Sequence, residues 1–122
     1  MPDQAAAEAI LRATYRAFNA RDVDAAIALM HPQVNWPNAW EGGRVTGRDG
    51  VAGYWRRQFE SISSRVEPEG FEHDPDGGVT VLVRQVVDDA MTGELLSDVR
   101  VRHRYRFEDG LIVRMDVLDA EA

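Results

Sequence analysis

The sequence predicts an α+β fold, with helices from the first half of the chain covering one face of a curved antiparallel sheet built from the second half. Two observations carry this reading. Up to about Ser63 the apolar residues recur at three- and four-residue spacing, and beyond it they alternate with polar ones. The run DVRVRHRYRF is the clearest alternation: Val99, Val101, His103, Tyr105 and Phe107 share one face, and Asp98, Arg100, Arg102, Arg104 and Arg106 share the other.

Taken in order, the first element is a helix from Gln4 to about Ala20, where Ala7, Ile10, Leu11, Thr14, Tyr15 and Phe18 form one buried stripe. Asp22 caps a second helix running through Met30, with Ala26, Ile27 and Met30 inward and Pro32 forbidding continuation. His31 then sits at that helix end, beside its last carbonyls. A short strand follows in HPQVNWPNAWEGG, which gathers two tryptophans and two asparagines without a charge until Glu41. Thr46 and Asp49 have the spacing of a capping box, and Val51, Tyr54, Trp55 and Phe59 make the stripe of a third helix.

The strands of the second half run from Arg65 to His73, broken at Pro68 and Gly70, from Val79 to Asp89, from Leu95 to Glu108 and from Leu111 to Leu118. DPDGG turns the chain between the first two, and His73 falls in this acidic turn as a solvated residue. EDG at Glu108–Gly110 marks a tight hairpin between the last two. Val79, Val81, Val83, Gln85 and Val87 continue the covered face, as do Val113, Met115 and Val117. Two polar groups, Gln85 and His103, therefore stand on an otherwise apolar side. Arg84, Arg100, Arg102, Arg104, Arg106 and Arg114 lie on the outer side with Asp88, Asp98 and Asp116, in reach of cross-strand pairing.

Composition narrows the partners. With 122 residues the chain has room for one domain with a real core. Twenty-one acidic against fourteen basic residues give a net charge of −7, which argues against nucleic acid. There are no cysteines, so neither disulfides nor thiolate sites are available. No apolar run reaches membrane-spanning length and MPDQAAAEAI lacks the pattern of a secretory signal, so a soluble cytoplasmic protein is expected. Three histidines without close pairing predict no metal site, and no phosphate loop or nucleophile motif calls for a cofactor.

The runs AFNARDVDAAIALMHPQVNW, GRDGVAGYW and YRFEDGLIVRMDVLD together resemble the SnoaL-like branch of the nuclear transport factor 2 superfamily, over about residues 7–118 and in the same order of elements. The resemblance implies one SnoaL-like domain over residues 1–122: a cone-shaped sheet wrapped around the long N-terminal helix, enclosing an apolar pocket, and commonly a homodimer. It also implies that the short strand lines the pocket, with Trp36 and Asn38 inward and Trp40 near the mouth.

The chemistry of the relatives does not carry over intact. Ketosteroid isomerases place a carboxylate base at the position matching Asn38, a tyrosine donor at the one matching Thr14, next to Tyr15, a second acid at the one matching His103 and a pocket aromatic at the one matching Tyr54. An amide takes no proton at neutral pH. The limonene epoxide hydrolase-like enzymes need charged groups where this chain has Val83, Gln85 and Val117. The SnoaL-type polyketide cyclases place a histidine at the position matching His103 and an aspartate base at the one matching Val117; this chain keeps the histidine and lacks the base.

The expected function is binding of a small, largely apolar molecule with a carbonyl or hydroxyl, oriented by Asn38, Gln85 and His103 and enclosed by Tyr15, Trp36, Tyr54, Trp55, Phe59, Met115 and Val117. The alternatives are an isomerase, dehydratase or cyclase with His103 as sole acid/base, and a non-catalytic assembly module.

Overall fold

The computed structural model describes residues 3–38 and 42–121, apart from the side chains of 119–121; Trp40 lies outside the described residues. The first helix, α1 (Gln4–Asn19), starts where Asp3 accepts a hydrogen bond from the Ala6 amide at 2.7 Å, and it buries Ala7, Leu11, Thr14, Tyr15 and Ala17. Arg21 turns the chain at φ 61°, and Asp22 caps α2 (Val23–Ile27) through the Ala25 amide.

That second helix is shorter than its sequence suggests. Met30 is fully buried as expected, but it opens a strand, β1 (Met30–Pro37). The reason is tertiary: β1 runs parallel to the last strand, where the Ile112 amide donates to the Leu29 carbonyl at 3.1 Å, and Met30, Val34 and Trp36 gain burial by facing the core. The pairing shifts register between Met30 and Asn35, a stretch that contains Pro32, which has no N–H to give. His31 accordingly lies in this strand, with Nδ1 accepting from the Gln33 amide at 3.0 Å, and not at a helix end.

A three-residue strand, β2 (Arg44–Thr46), pairs with β1 and has no counterpart in the sequence pattern, being too short to show a period. It takes Thr46 away from the expected capping box. The next helix, α3 (Arg48–Ser61), begins at Gly47 with φ 83° and no side-chain cap.

The remaining strands are β3 (Ile62–His73), β4 (Val79–Asp89), β5 (Leu95–Glu108) and β6 (Leu111–Glu121). β4 and β5 keep their predicted limits; β3 starts earlier and β6 ends later. Together they form one six-stranded sheet in the order β2-β1-β6-β5-β4-β3, antiparallel except between β1 and β6. Asp109 and Gly110 both have positive φ, which matches the right-handed twist of the β5–β6 hairpin. The sheet curves around α1 as a cone, and Leu11, Val51, Val79, Val81, Val83, Tyr105 and Ile112 fill its core.

Two parts of the alternation depart from expectation. In β6 a register shift sets Ile112 opposite Phe107 and Met115 opposite Tyr105, so Ile112 is buried where Val113 was expected inward. At the far end of the sheet Val99 and Val117 keep the inner face yet are 39% and 44% exposed, because no helix among the described residues covers that end. On the outer face Arg84 grips Asp98 at 2.7 Å, Arg100 reaches Glu69 and Arg114 reaches Asp116. His73 is not solvated: its Nε2 lies 2.6 Å from Glu8, tying β3 to α1.

Candidate functional site

The inner face of the sheet and the two long helices leave a cavity of about 80 Å³. Tyr15 of α1, Trp36 of β1, and Tyr54 and Trp55 of α3 stand in its wall, with Gln85 of β4, His103 of β5, and Met115 and Val117 of β6. These are residues that strand alternation and helical spacing placed on the covered side. The aromatic part is packed edge to face: Trp36 against Trp55 with centroids 5.6 Å apart, and Phe18 against Trp55 at 5.0 Å.

Two expected residues fall outside the wall. Phe59 is half-buried beside Phe18, under the Arg21 guanidinium at 4.3 Å. It is turned around α3 from its neighbour Gln58, which does line the cavity, and packs on Phe18 instead. Asn38 is buried, but its backbone closes the loop after β1, accepting from the Gly42 amide and donating to the Gly43 carbonyl. Pro37 lines the cavity next to Trp36 instead.

His103 is held by a chain of hydroxyls. Tyr105 Oη donates to Tyr15 Oη at 2.7 Å, and Tyr15 Oη lies 2.9 Å from His103 Nδ1. Only one direction satisfies both hydroxyl protons. If Tyr15 donated to Tyr105, the Tyr105 hydroxyl proton would have no acceptor among the described residues; with Tyr15 donating to Nδ1, both hydroxyl protons are used. The imidazole proton therefore sits on Nε2, in a ring that is 7% exposed and forms part of the cavity wall. Burial lowers the His103 pKa to about 4, so the ring is neutral at pH 7. Burial, aided by Tyr105, also raises the Tyr15 pKa well above its ordinary value, so Tyr15 keeps its proton.

The wall contains further polar groups, among them Thr14 of the first stripe and Gln58, which the sequence pattern did not single out. Thr14 Oγ1 donates to the Ile10 carbonyl at 2.8 Å and is spent on its own helix. Gln58, 8% exposed, donates from Nε2 to Tyr54 Oη at 3.3 Å, while its Oε1 is buried without a hydrogen-bond partner among the described residues. Its spacing from Val51, Tyr54 and Trp55 is the signal that would have found it: it occupies a stripe position that ordinarily holds Leu or Met.

Away from the cavity, His31, Glu108 and Asp109 bring their ligand atoms within 4.8 Å of one another at the β5–β6 turn, a proximity the sequence spacing did not suggest. Both acids are exposed, as solvated acidic groups commonly are. Among the described residues no helix is long and apolar enough to cross a membrane.

No curated protein matches the sequence. Solved structures share the fold. An NTF2-like protein of unknown function from Burkholderia pseudomallei is 25% identical, with TM-score 0.78 over 91% of this chain and 88% of its own. A Mycobacterium tuberculosis protein in complex with estradiol-17beta-hemisuccinate is 20% identical, with TM-score 0.80 over 93% of each chain. A hypothetical protein with a ketosteroid isomerase-like fold from Catenulispora acidiphila, in complex with trimethylamine, is 17% identical, with TM-score 0.78 over 90% of this chain and 84% of its own. The model of the SnoaL-like domain matches residues 11–115. With that match over most of its length and a cone of the NTF2-like, ketosteroid isomerase-like kind, the chain belongs to the SnoaL-like domain family.

Proposed function

We propose that the chain binds a small, largely apolar molecule whose carbonyl or hydroxyl oxygen accepts a hydrogen bond from His103 Nε2–H. The observation that carries this is the buried contact of Tyr15 Oη with Nδ1: that nitrogen is taken, which leaves Nε2–H as the ring's free donor in a wall rich in aromatic residues. Size limits the buried part of the ligand. A dry cavity that accepts benzene measures roughly 150 Å³, against about 80 Å³ here. A group smaller than a benzene ring fits inside, and any larger body extends past Gln85 and the exposed Val117. The steroid ester and trimethylamine held by the two relatives span the range of sizes to be tried.

The same geometry speaks against His103 as a proton shuttle. To accept a proton at Nε2 the ring must first carry its own on Nδ1, which reverses the hydroxyl chain and strands the Tyr105 proton. A base with a pKa near 4 is also mostly unable to hold a proton at pH 7. The assembly-module reading has less support, because the space between sheet and helices is not filled by the chain's own side chains.

The test is thermal unfolding across short ketones, alcohols, amines, aryl ketones and steroids, in wild type and His103→Phe. A ligand specific for the native state raises Tm with concentration. The expected result is a shift for carbonyl or hydroxyl compounds that shrinks in His103→Phe; equal shifts in both proteins, or none in either, refute the reading. A second copy of the chain is proposed as partner, favoured by the exposed Leu95, Leu96 and Leu118 at the uncovered end of the sheet. Sedimentation equilibrium reads this directly, with a monomer as the contrary result.

A further inference from the structure

Gln58 presents a second, opposite requirement on the occupant of the cavity. On α3 the positions Val51, Tyr54, Trp55 and Gln58 follow one another on the buried face, and all but Gln58 are apolar or aromatic. An amide there loses its hydration on folding. Its Nε2 recovers one hydrogen bond, to Tyr54, and its Oε1 recovers none among the described residues. Buried polar atoms are nearly always satisfied, and an unsatisfied acceptor costs stability that a methionine of similar length would not. Gln58 stands in the same wall as His103. The residues of this wall thus bring a donor from the sheet side and a buried, unused acceptor from the helix side.

We infer that Gln58 is a specificity-determining residue: its Oε1 accepts a hydrogen bond from a hydroxyl or N–H of the ligand while His103 donates to the ligand's carbonyl, so the site selects compounds carrying both groups, of which hydroxycarbonyl compounds are the simplest class. This inference rests on the ligand-binding reading above and narrows it. Because both polar groups are buried, a ligand that satisfies only His103 leaves the amide oxygen as it is in the free protein. One that satisfies both removes that defect and binds more tightly for the same apolar area.

The experiment compares matched ketones in which a methyl replaces the hydroxyl: hydroxyacetone against butanone, and 4-hydroxybutan-2-one against pentan-2-one. Binding is measured by the shift of the His103 ring resonances in wild type and Gln58→Met. The expected result is that the hydroxyl member of at least one pair binds wild type about tenfold more tightly than its methyl partner, and that the ratio falls to about one in Gln58→Met. A second reading needs no ligand: the free Gln58→Met protein should melt at a higher temperature than wild type, since it no longer buries an unpartnered acceptor. The inference is overturned if wild type binds both members of each pair equally, or if the preference survives in Gln58→Met. If no ketone moves the His103 signals in either protein, the ligand-binding reading itself fails and takes this one with it. A Gln58→Met protein that melts lower than wild type makes the amide structural, which also overturns the inference.

Discussion

Tyr15 Oη lies 2.9 Å from Nδ1 of His103, a buried hydrogen bond between residues 88 positions apart in the chain. It joins the central helix to the sheet, sets the imidazole tautomer and is itself fed by the Tyr105 hydroxyl. The donor proposed for this site, His103 Nε2–H, therefore depends on a residue that never has to touch a ligand through its polar end.

This chain makes the two tyrosines unequal. Tyr15→Phe leaves both the Tyr105 donor and the His103 acceptor buried without partners, and should cost roughly 2 kcal/mol or more. Tyr105→Phe removes only the first link and should cost about 1 kcal/mol. Urea unfolding of both variants checks the order; equal losses would mean that the direction of the chain is wrong.

Acid should destabilise the fold through His103. Its pKa in the folded state, about 4, lies below the ordinary 6.5. Between these values the unfolded chain binds a proton that the folded one refuses, so stability falls as pH drops through this window. The loss begins below pH 6.5, is complete near pH 4 and is on the order of 3 kcal/mol. Stability measured against pH in wild type and His103→Phe isolates it, because the carboxylates titrate alike in both. Parallel curves would show that the histidine does not bear this strain.

Val117→Trp should close the mouth without harming the fold. Val117 faces the cavity but is 44% exposed, so a larger side chain has room to lie over the opening. The expected stability change is within about 0.5 kcal/mol, with the ligand-induced Tm shift lost. If the shift persists, the ligand enters elsewhere.

Asn19 fixes the wall strand to the central helix. Its Nδ2 donates to the Val66 carbonyl at 2.7 Å and its Oδ1 accepts from the Val66 amide at 2.8 Å, so a side-chain amide supplies the pairing that the edge strand β3 lacks on that side. Asn19→Ala should cost roughly 1–3 kcal/mol. Amide hydrogen exchange at Val66 should speed up; unchanged protection would show that the pairing contributes little.

Much of this molecule was legible before it was folded. Helical spacing gave α1 and its stripe from Ala7 to Tyr15, and strict alternation gave β4 and β5 to the residue, because a side-chain period is a local property that survives without knowledge of neighbours. The same alternation put Gln85, His103 and Val117 on the cavity side. Local pattern failed where a partner element set the outcome. Met30 left its helix because β6 offered its backbone a parallel neighbour, Ile112 displaced Val113 at a bulge, and β2 exists only because β1 lies beside it.

The polar logic of the site belongs to the second class throughout. The sequence by itself determined which residue types reach the covered face: one histidine, a few amides and a surplus of aromatics. Only the tertiary structure decided that Tyr15 and Tyr105 would lock His103, that Asn38 would serve a loop and that Gln58 would be buried with an oxygen to spare. The reason is that periodicity specifies the direction of a side chain to within one face, whereas a hydrogen bond requires two groups from distant elements to agree to within a few tenths of an ångström.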